Sequence, residues 1–412
     1  MTTATGTPQD APIVFDGWRS ISISLYMALV GYSVMVTMPV LSTALVEMAG
    51  FTAEQVGRVW GADLGGLSLG AVAAALLVAR INRRLLVLAG IALTIGANAL
   101  CIPFVEYEQV MWLRVVAGMG SGILTAVAVV TLGGTTNPVR AFNMLLFAFA
   151  FSAALQLHVL PMLTMNEIYL VFIGSTAVCA LFVLWIPTRA LNAEELVQQQ
   201  ASEDQTEDWH VPRFLPLLCL TAICFTYINI GGYYTYIELA ALADGVAEDW
   251  IGSVLTWASF LTLLGCAIAL VCTRFGLFKP LFVSLLMMAG IVAMLSGGIT
   301  DLNVMVSLFA FTALWTFVDV YQEAMMAHMD RSGSFLALIP SAQGLGNFIG
   351  PNMAASVLGA GLGYSTVFIA SGAMALVAMV IYIGLAIYMH KRRPAEEGVG
   401  LGAGAEAGAL SD

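Results

Sequence analysis

Six ionisable side chains, Asp63, Arg114, His158, Glu238, Asp319 and Glu323, fall inside apolar runs long enough to cross a bilayer. A charge there is costly and marks a candidate functional site. At about 100° per residue, Thr312, Trp315, Asp319, Gln322 and Glu323 share one face of a single helix. Such a polar stripe must face protein or a water-filled path, because it cannot face lipid. Asp319 and Glu323 stand on neighbouring turns, and two carboxylates in a poorly solvated cavity disfavour being charged together. One of them is therefore a candidate to take up and release a proton. The plainer alternative for Glu323 is an ion pair with Arg140 or Arg331.

Asp63 and Arg114 lie at comparable depth in the second and fourth apolar runs, where they either pair or leave Arg114 to snorkel or to meet Glu106 or Glu108. His158 either lines a cavity or is satisfied between helices. The stretch FTYINIGGYYTYIEL, residues 225–239, gathers polar and aromatic groups on one run. Tyr227, Tyr234 and Glu238 share one face of it, and Asn229, Tyr233 and Tyr236 the opposite one. Gly231 and Gly232 between them would permit a bend. The rival for Tyr233 to Tyr236 is an aromatic belt at the headgroups.

These groups need helices in lipid to hold them. Apolar residues make up 60% of the 412 residues and charged ones 10%, against roughly 25% charged in a soluble domain. Twelve runs of spanning length are expected, at 20–45, 56–79, 84–104, 111–133, 141–164, 168–187, 213–242, 250–272, 279–299, 304–328, 334–359 and 364–389. With both termini cytoplasmic, every Lys and Arg except Arg58 and Arg114 lies on the cytoplasmic side. The polar, acidic stretch before Arg19 has no signal-peptide pattern, so the first span is expected to direct insertion. The net charge of −11 resides in solvated loops and tails and gives no sign of nucleic-acid binding. The six cysteines all fall within spans and read as small apolar residues.

Catalytic signatures are missing. Neither Lys279 nor Lys391 sits in a phosphate-binding loop, and no histidine begins a zinc-binding HExxH. GLSLG, residues 66–70, imitates a hydrolase nucleophile motif, but Ser68 lies mid-span rather than on a strand-to-helix turn. No enzyme, cofactor or metal is expected.

The longest internal polar interval divides the spans six and six: residues 1–187 form one helical bundle, 188–212 a cytoplasmic linker, 213–389 a second bundle and 390–412 a cytoplasmic tail. An offset of 195 lays Glu54–Gly57 over Asp249–Gly252, Gly70 over Gly265 and Tyr32 over Tyr227. Parallel repeats of this kind place a substrate site at the midplane between halves.

With these features the chain resembles the major facilitator superfamily of secondary transporters. The family's loop GxxxDRxGRR appears as ALLVARINRR, residues 75–84, in which Arg80, Arg83 and Arg84 match. Ala79 replaces the family's gate-latching Asp. Asn82 replaces a Gly, and Asn tolerates the left-handed turn best after Gly. RVVAGMGSG, starting at Arg114, is similar to the family's fourth helix. The fifth span lacks the glycine-proline signature of drug antiporters, whereas the eleventh carries GNFIGP ending at Pro351.

The resemblance implies an all-α membrane protein with two pseudo-symmetric six-helix bundles. Its first and seventh helices line the cavity, and their outer ends gate it. Tyr32, Tyr227, Asn229, Tyr233, Tyr234, Trp315 and Gln322 are the candidate substrate contacts. Asp319, Glu323, Glu238, Asp63 and Arg114 are the candidates for proton coupling. Arg80, Asn82, Arg84 and Pro351 are candidate gate residues. Gly66 and Gly70, with Gly346 and Gly350, form small-residue stripes on the second and eleventh spans, helices that meet across the halves in the resembled fold. Packing within one half is their alternative.

The expected activity is alternating-access transport of a small organic molecule, coupled to protons, by a monomer in a bacterial inner membrane. The acid-rich interior disfavours substrates with several negative charges. The alternatives are a receptor that binds without translocating, and an uncoupled uniporter or exchanger. Cysteines replacing Ser202 and Ser411 are expected to resist an impermeant thiol reagent in intact cells and to react once the membrane is opened; strong labelling from outside would reverse the orientation.

Overall fold

The structure, a computed structural model, describes residues 17–78, 81–135, 138–187, 212, 214–329, 335 and 338–392. Arg80, Arg331, the tail from residue 393 and the expected linker apart from Pro212 lie outside the described residues.

With no water to satisfy backbone groups, an apolar run closes its hydrogen bonds internally as helix. Twelve helical spans result. The first six are α1 (Trp18–Gly31 and Ser33–Ala49, interrupted at Tyr32), α2 (Ala53–Leu77), α3 (Arg83–Cys101), α4 (Tyr107–Gly133), α5 (Pro138–Val159) and α6 (Met165–Leu181). The second six are α7 (Phe214–Ala243), α8 (Glu248–Ala258 and Leu261–Cys272), α9 (Phe278–Ala293), α10 (Asp301–Met329), α11 (Ile339–Gly359) and α12 (Gly363–Arg392). Ten spans are long and apolar enough to cross a membrane by themselves. The short α6 and the more polar α11 are the others, and α11 affords its Asn347 and Asn352 because it packs between α2 and α7.

Local chemistry sets the helix ends. Thr52 and Gln55 form a capping box at the start of α2, as Thr164 and Glu167 do at α6. Gly50 ends α1 at φ +72°, a left-handed position that suits glycine. Asn82 differs from expectation: its φ is −55°, and its side chain caps α3 by accepting from the Arg84 amide at 2.9 Å. Capping, rather than a left-handed turn, is what an asparagine contributes here.

Because the crossings are even in number, the described chain enters and leaves on one side, termed terminal; the opposite side, with Ala49, Ala53 and Ala243, is termed distal. Helices α1–α6 pack chiefly on one another, as do α7–α12, and three pairs carry the main contact between bundles: α2 with α11, α1 with α7 and α5 with α8.

The glycine stripes take the alternative course. A Cβ on Gly66 or Gly70 would strike the backbone of Val115 or Met119 on α4. One on Gly346 or Gly350 would strike the backbone of Cys224 or Ile228 on α7. All four glycines therefore pack within a bundle, and the expectation that they close the halves is overturned. The seam uses another face of α2, where a Cβ on Gly57 would meet Pro351 O at 2.7 Å, and one on Gly61 or Gly65 would meet Asn352 or Phe348. The repeat is visible in the same contacts, since Gly265 on α8 abuts the Ala313 backbone of α10 as Gly70 on α2 abuts α4.

Gly350→Leu is accordingly expected to reduce folded yield and transport together, by an overpacking cost of about 1–3 kcal/mol or more. Gly57→Leu is expected to leave yield and thermal stability near the parent's while opening the distal seam, read as faster thiol labelling of a Thr235→Cys reporter. Equal losses of folding in both variants would contradict this division.

Candidate functional site

The polar stripe of α10 faces α7 and α1. Tyr227 donates its hydroxyl to Asp319 Oδ2 at 3.0 Å, and Trp315 Nε1 donates to the Tyr227 oxygen at 3.5 Å. Asp319 Oδ1 has no hydrogen-bond partner among the described residues. Tyr32, placed at the interruption of α1, lies within electrostatic range of both Glu323 and Asp319. The two tyrosines that the 195-residue offset superposes thus converge on one acid pair. Trp315 sits edge-on between Tyr227 and Tyr234, at centroid distances of 6.4 and 5.8 Å. Along the stripe Phe311 is buried, Trp315 and Asp319 are half-buried and Glu323 is exposed, so access increases toward the terminal side. Glu323 has no ion-pair partner among the described residues; Arg331, one of the two arginines named as its alternative partners, lies outside them.

Gln322 is buried, donating to Thr226 at 2.8 Å, with its own Oε1 unpartnered among the described residues. Asn229 donates to Ser371 O at 2.7 Å, and Tyr233 shares a 2.9 Å hydrogen bond with Ser307 while packing on Phe311. Both are fully buried inside the second bundle, so the structure does not bring them to the acid pair. Helix α7 also runs unbroken through Gly231 and Gly232. Their lack of a side chain admits α11 and α12 instead of bending α7: Cβ atoms there would meet Pro351 and Ser371 at 3.0 and 2.5 Å.

The rest of the tyrosine stretch closes the distal side. Tyr234 donates to Val36 O at 3.1 Å, the Thr235 hydroxyl lies 3.1 Å from the Met38 sulfur, and Tyr236 donates to Ala53 O at 2.7 Å. Three consecutive residues of α7 thereby reach the first bundle. All are buried, which removes the headgroup-belt alternative. Pro351 adjoins both Gly57 and Gly231, at the junction of α2, α7 and α11. Arg58 adds a polar cap, with NH1 3.4 Å from Asn352 Oδ1 and NH2 3.2 Å from Ser356 Oγ.

Asp63 and Arg114 do pair. Arg114 Nε and NH2 lie 2.6 and 2.5 Å from Asp63 Oδ2, NH1 donates to Asn98 Oδ1 at 2.8 Å, and the guanidinium sits 5.8 Å from the Trp60 ring centre. The cluster is almost wholly buried within the first bundle, beside a small cavity lined by Ser33, Thr94, Ser121 and Thr176. Arg84 caps carbonyls at the end of the same bundle, donating to Leu184 O and Ile186 O at 2.7 and 2.8 Å. His158 is exposed, on an apolar stripe with Phe151, Leu155 and Met162. The sequence reading missed Asn98, Asn347 and Gln156. The signal was present, since each is an amide in an apolar run, and Gln156 accepts from Ser33 of α1.

The sequence matches the family model for the Major Facilitator Superfamily over residues 23–351. The chain belongs to that superfamily. It is an integral, multi-pass membrane transporter of a small molecule and not an enzyme. No curated protein matches the sequence. Among solved structures, the nucleoside transporter NupG is 11% identical with a TM-score of 0.65, covering 89% of this chain and 99% of that one. A point mutant of the same transporter gives 9% identity and a TM-score of 0.70, covering 89% and 98%. A D-xylose-proton symporter is 15% identical with a TM-score of 0.66, covering 89% and 97%. At these identities the likeness establishes the superfamily fold.

For this transporter, the buried pair in the first bundle makes a stability statement. Removing one partner of a buried ion pair strands the other charge, at a cost of about 3–5 kcal/mol, whereas replacing both by apolar groups of similar size is often neutral. Asp63→Leu and Arg114→Met are each expected to lower the Tm in detergent, and the double variant to recover most of the loss. A double variant as unstable as the sum of the singles would contradict the pairing.

Proposed function

We propose that the protein is a proton-coupled secondary transporter that moves a small organic molecule by alternating access, with Asp319 carrying the coupling proton and Glu323 tuning it. One observation carries the reading: Asp319 is held on one oxygen by Tyr227, is bare on the other, and has a second carboxylate one turn away with no cation paired to either among the described residues. Such a pair holds a proton more readily than two negative charges. Tyr32, Tyr227, Tyr234, Trp315 and Gln322 would wall the substrate site. Asn229 and Tyr233 would support that wall from behind.

Aromatic faces beside uncompensated carboxylates favour a neutral or cationic molecule with an apolar or aromatic body and oppose one with several negative charges. That a D-xylose-proton symporter shares the fold supports the coupling reading. The terminal side is cytoplasmic in this proposal, with bundles at 1–187 and 213–389, a cytoplasmic linker between them, and a monomer in a bacterial inner membrane as the working unit. The two exceptions to the charge asymmetry then have assigned partners: Arg58 binds across the distal seam, and Arg114 is paired with Asp63.

The test is proton flux in proteoliposomes loaded with a pH-sensitive dye, with and without substrate identified by a thermal-shift screen. Asp319→Asn imitates the neutral acid. It is expected to retain substrate binding and gradient-free exchange while losing accumulation against a gradient. Glu323→Gln is expected to shift the pH dependence of transport and preserve coupling. Coupled flux at the native ratio in Asp319→Asn would remove the assignment.

A further inference from the structure

The distal seam contains a carboxylate that the transport reading leaves idle. Glu238 lies one turn beyond Tyr234 on the face of α7 that meets the first bundle. It is 4% exposed, and its Oε2 has no hydrogen-bond partner among the described residues. The groups that act on it among the described residues are Thr43 and Glu47 on α1, Glu248 on α8 and Tyr234 on its own helix. None is a cation. Thr43 is a neutral donor within reach, and its bond to the Pro39 carbonyl within α1 is a long 3.4 Å, which leaves the hydroxyl free to turn to the carboxyl group.

An ionised carboxylate in this place would be desolvated, unpaired and repelled by two like charges, which opposes closure. We propose that Glu238 is a proton-binding site of the distal gate, separate from Asp319, and that the two bundles close on the distal side only around its neutral form. When the seam parts, water reaches the group and the acid dissociates to a carboxylate and a proton released to the distal medium. Closure takes one proton back from that medium. The closed gate is thus favoured by distal acidity and lost as the pH rises.

The experiment places spin labels at Ala49→Cys and Ala243→Cys, the exposed distal ends of α1 and α7, in a background with the six native cysteines replaced. Pulsed dipolar distances are then recorded against pH. The closed-to-open ratio is expected to fall by up to about tenfold per pH unit, the slope of a single proton. Added to an Asp319→Asn background, Glu238→Gln is expected to stay closed throughout, with less than about a twofold change in that ratio over the same range. The Asp319→Asn background, from which the coupling proton is removed, is expected to keep the Glu238-dependent slope with its midpoint moved, so a failure of the coupling assignment does not mimic a failure here. Thr43→Val, which removes the neutral donor, is expected to keep the titration with its midpoint moved. The proposal is overturned if Glu238→Gln in that background titrates like Asp319→Asn alone or populates the open state. Should that variant not fold, an unchanged midpoint in Thr43→Val overturns it.

Discussion

The bundles are held together on the distal side by a seam whose polar contacts are few and mostly neutral, and the arrangement of the interior depends on it. Tyr234, Thr235 and Tyr236 reach from α7 to α1 and α2, while Gly57, Gly61 and Gly65 let α11 lie close against α2. A neutral hydrogen bond contributes about 0.5–1.5 kcal/mol net, so three such contacts amount to a few kcal/mol. Moving a two-state equilibrium from 1:99 to 99:1 takes about 5.5 kcal/mol. Contacts of that size fall below this range, so the polar part of the seam defines a closed state without locking it. A seam built from several buried ion pairs would not have that property, because parting it would strand charges.

Buried charge is distributed unequally between the bundles. In the first, Asp63 and Arg114 compensate each other and Asn98 takes a remaining guanidinium donor, a closed network that rigidifies α2, α3 and α4. In the second, Asp319, Glu323 and Glu238 carry no paired cation among the described residues, and each lies on a face turned toward the first bundle. Uncompensated carboxylates cost stability wherever water is withheld, so groups placed like these favour either hydration or a bound proton. A paired charge has no such requirement and can stay buried in every state.

Several features were legible in the sequence because they follow from composition and period alone. The crossings, the repeat that brings Tyr32 and Tyr227 together, and the polar stripe of Asp319 are of this kind. What the sequence withheld was which neighbour each face meets. A small-residue stripe states that a backbone comes close, but Gly66 and Gly70 point at α4 while Gly57 and Gly61, a fraction of a turn around the same helix, point at α11. Helical period fixes a face and leaves the rotation of the helix in the bundle open. The same limit concealed Asn229 and Tyr233, whose polarity in an apolar run signals a partner equally well whether that partner is substrate or, as in the structure, Ser371 and Ser307. Asn82 was misread for a different reason, since a loop asparagine serves as a helix cap as readily as it takes a left-handed turn.

The repeat partners α1 and α7 differ in a way that bears on how the bundles move. Helix α7 is continuous, and its glycines are occupied by the close approach of α11 and α12, which clamp it within its bundle. Helix α1 is interrupted at Tyr32 and carries Pro39 in its distal half, the half that docks on Tyr234 and Thr235. Proline removes a backbone donor and loosens the turn before it. Bending is thereby concentrated in the partner that faces the acid pair, with Tyr32 at the break and within range of Glu323 and Asp319. The acid pair thus stands beside the residue at which α1 breaks, and the continuous α7 runs from that pair to the seam about two turns further along.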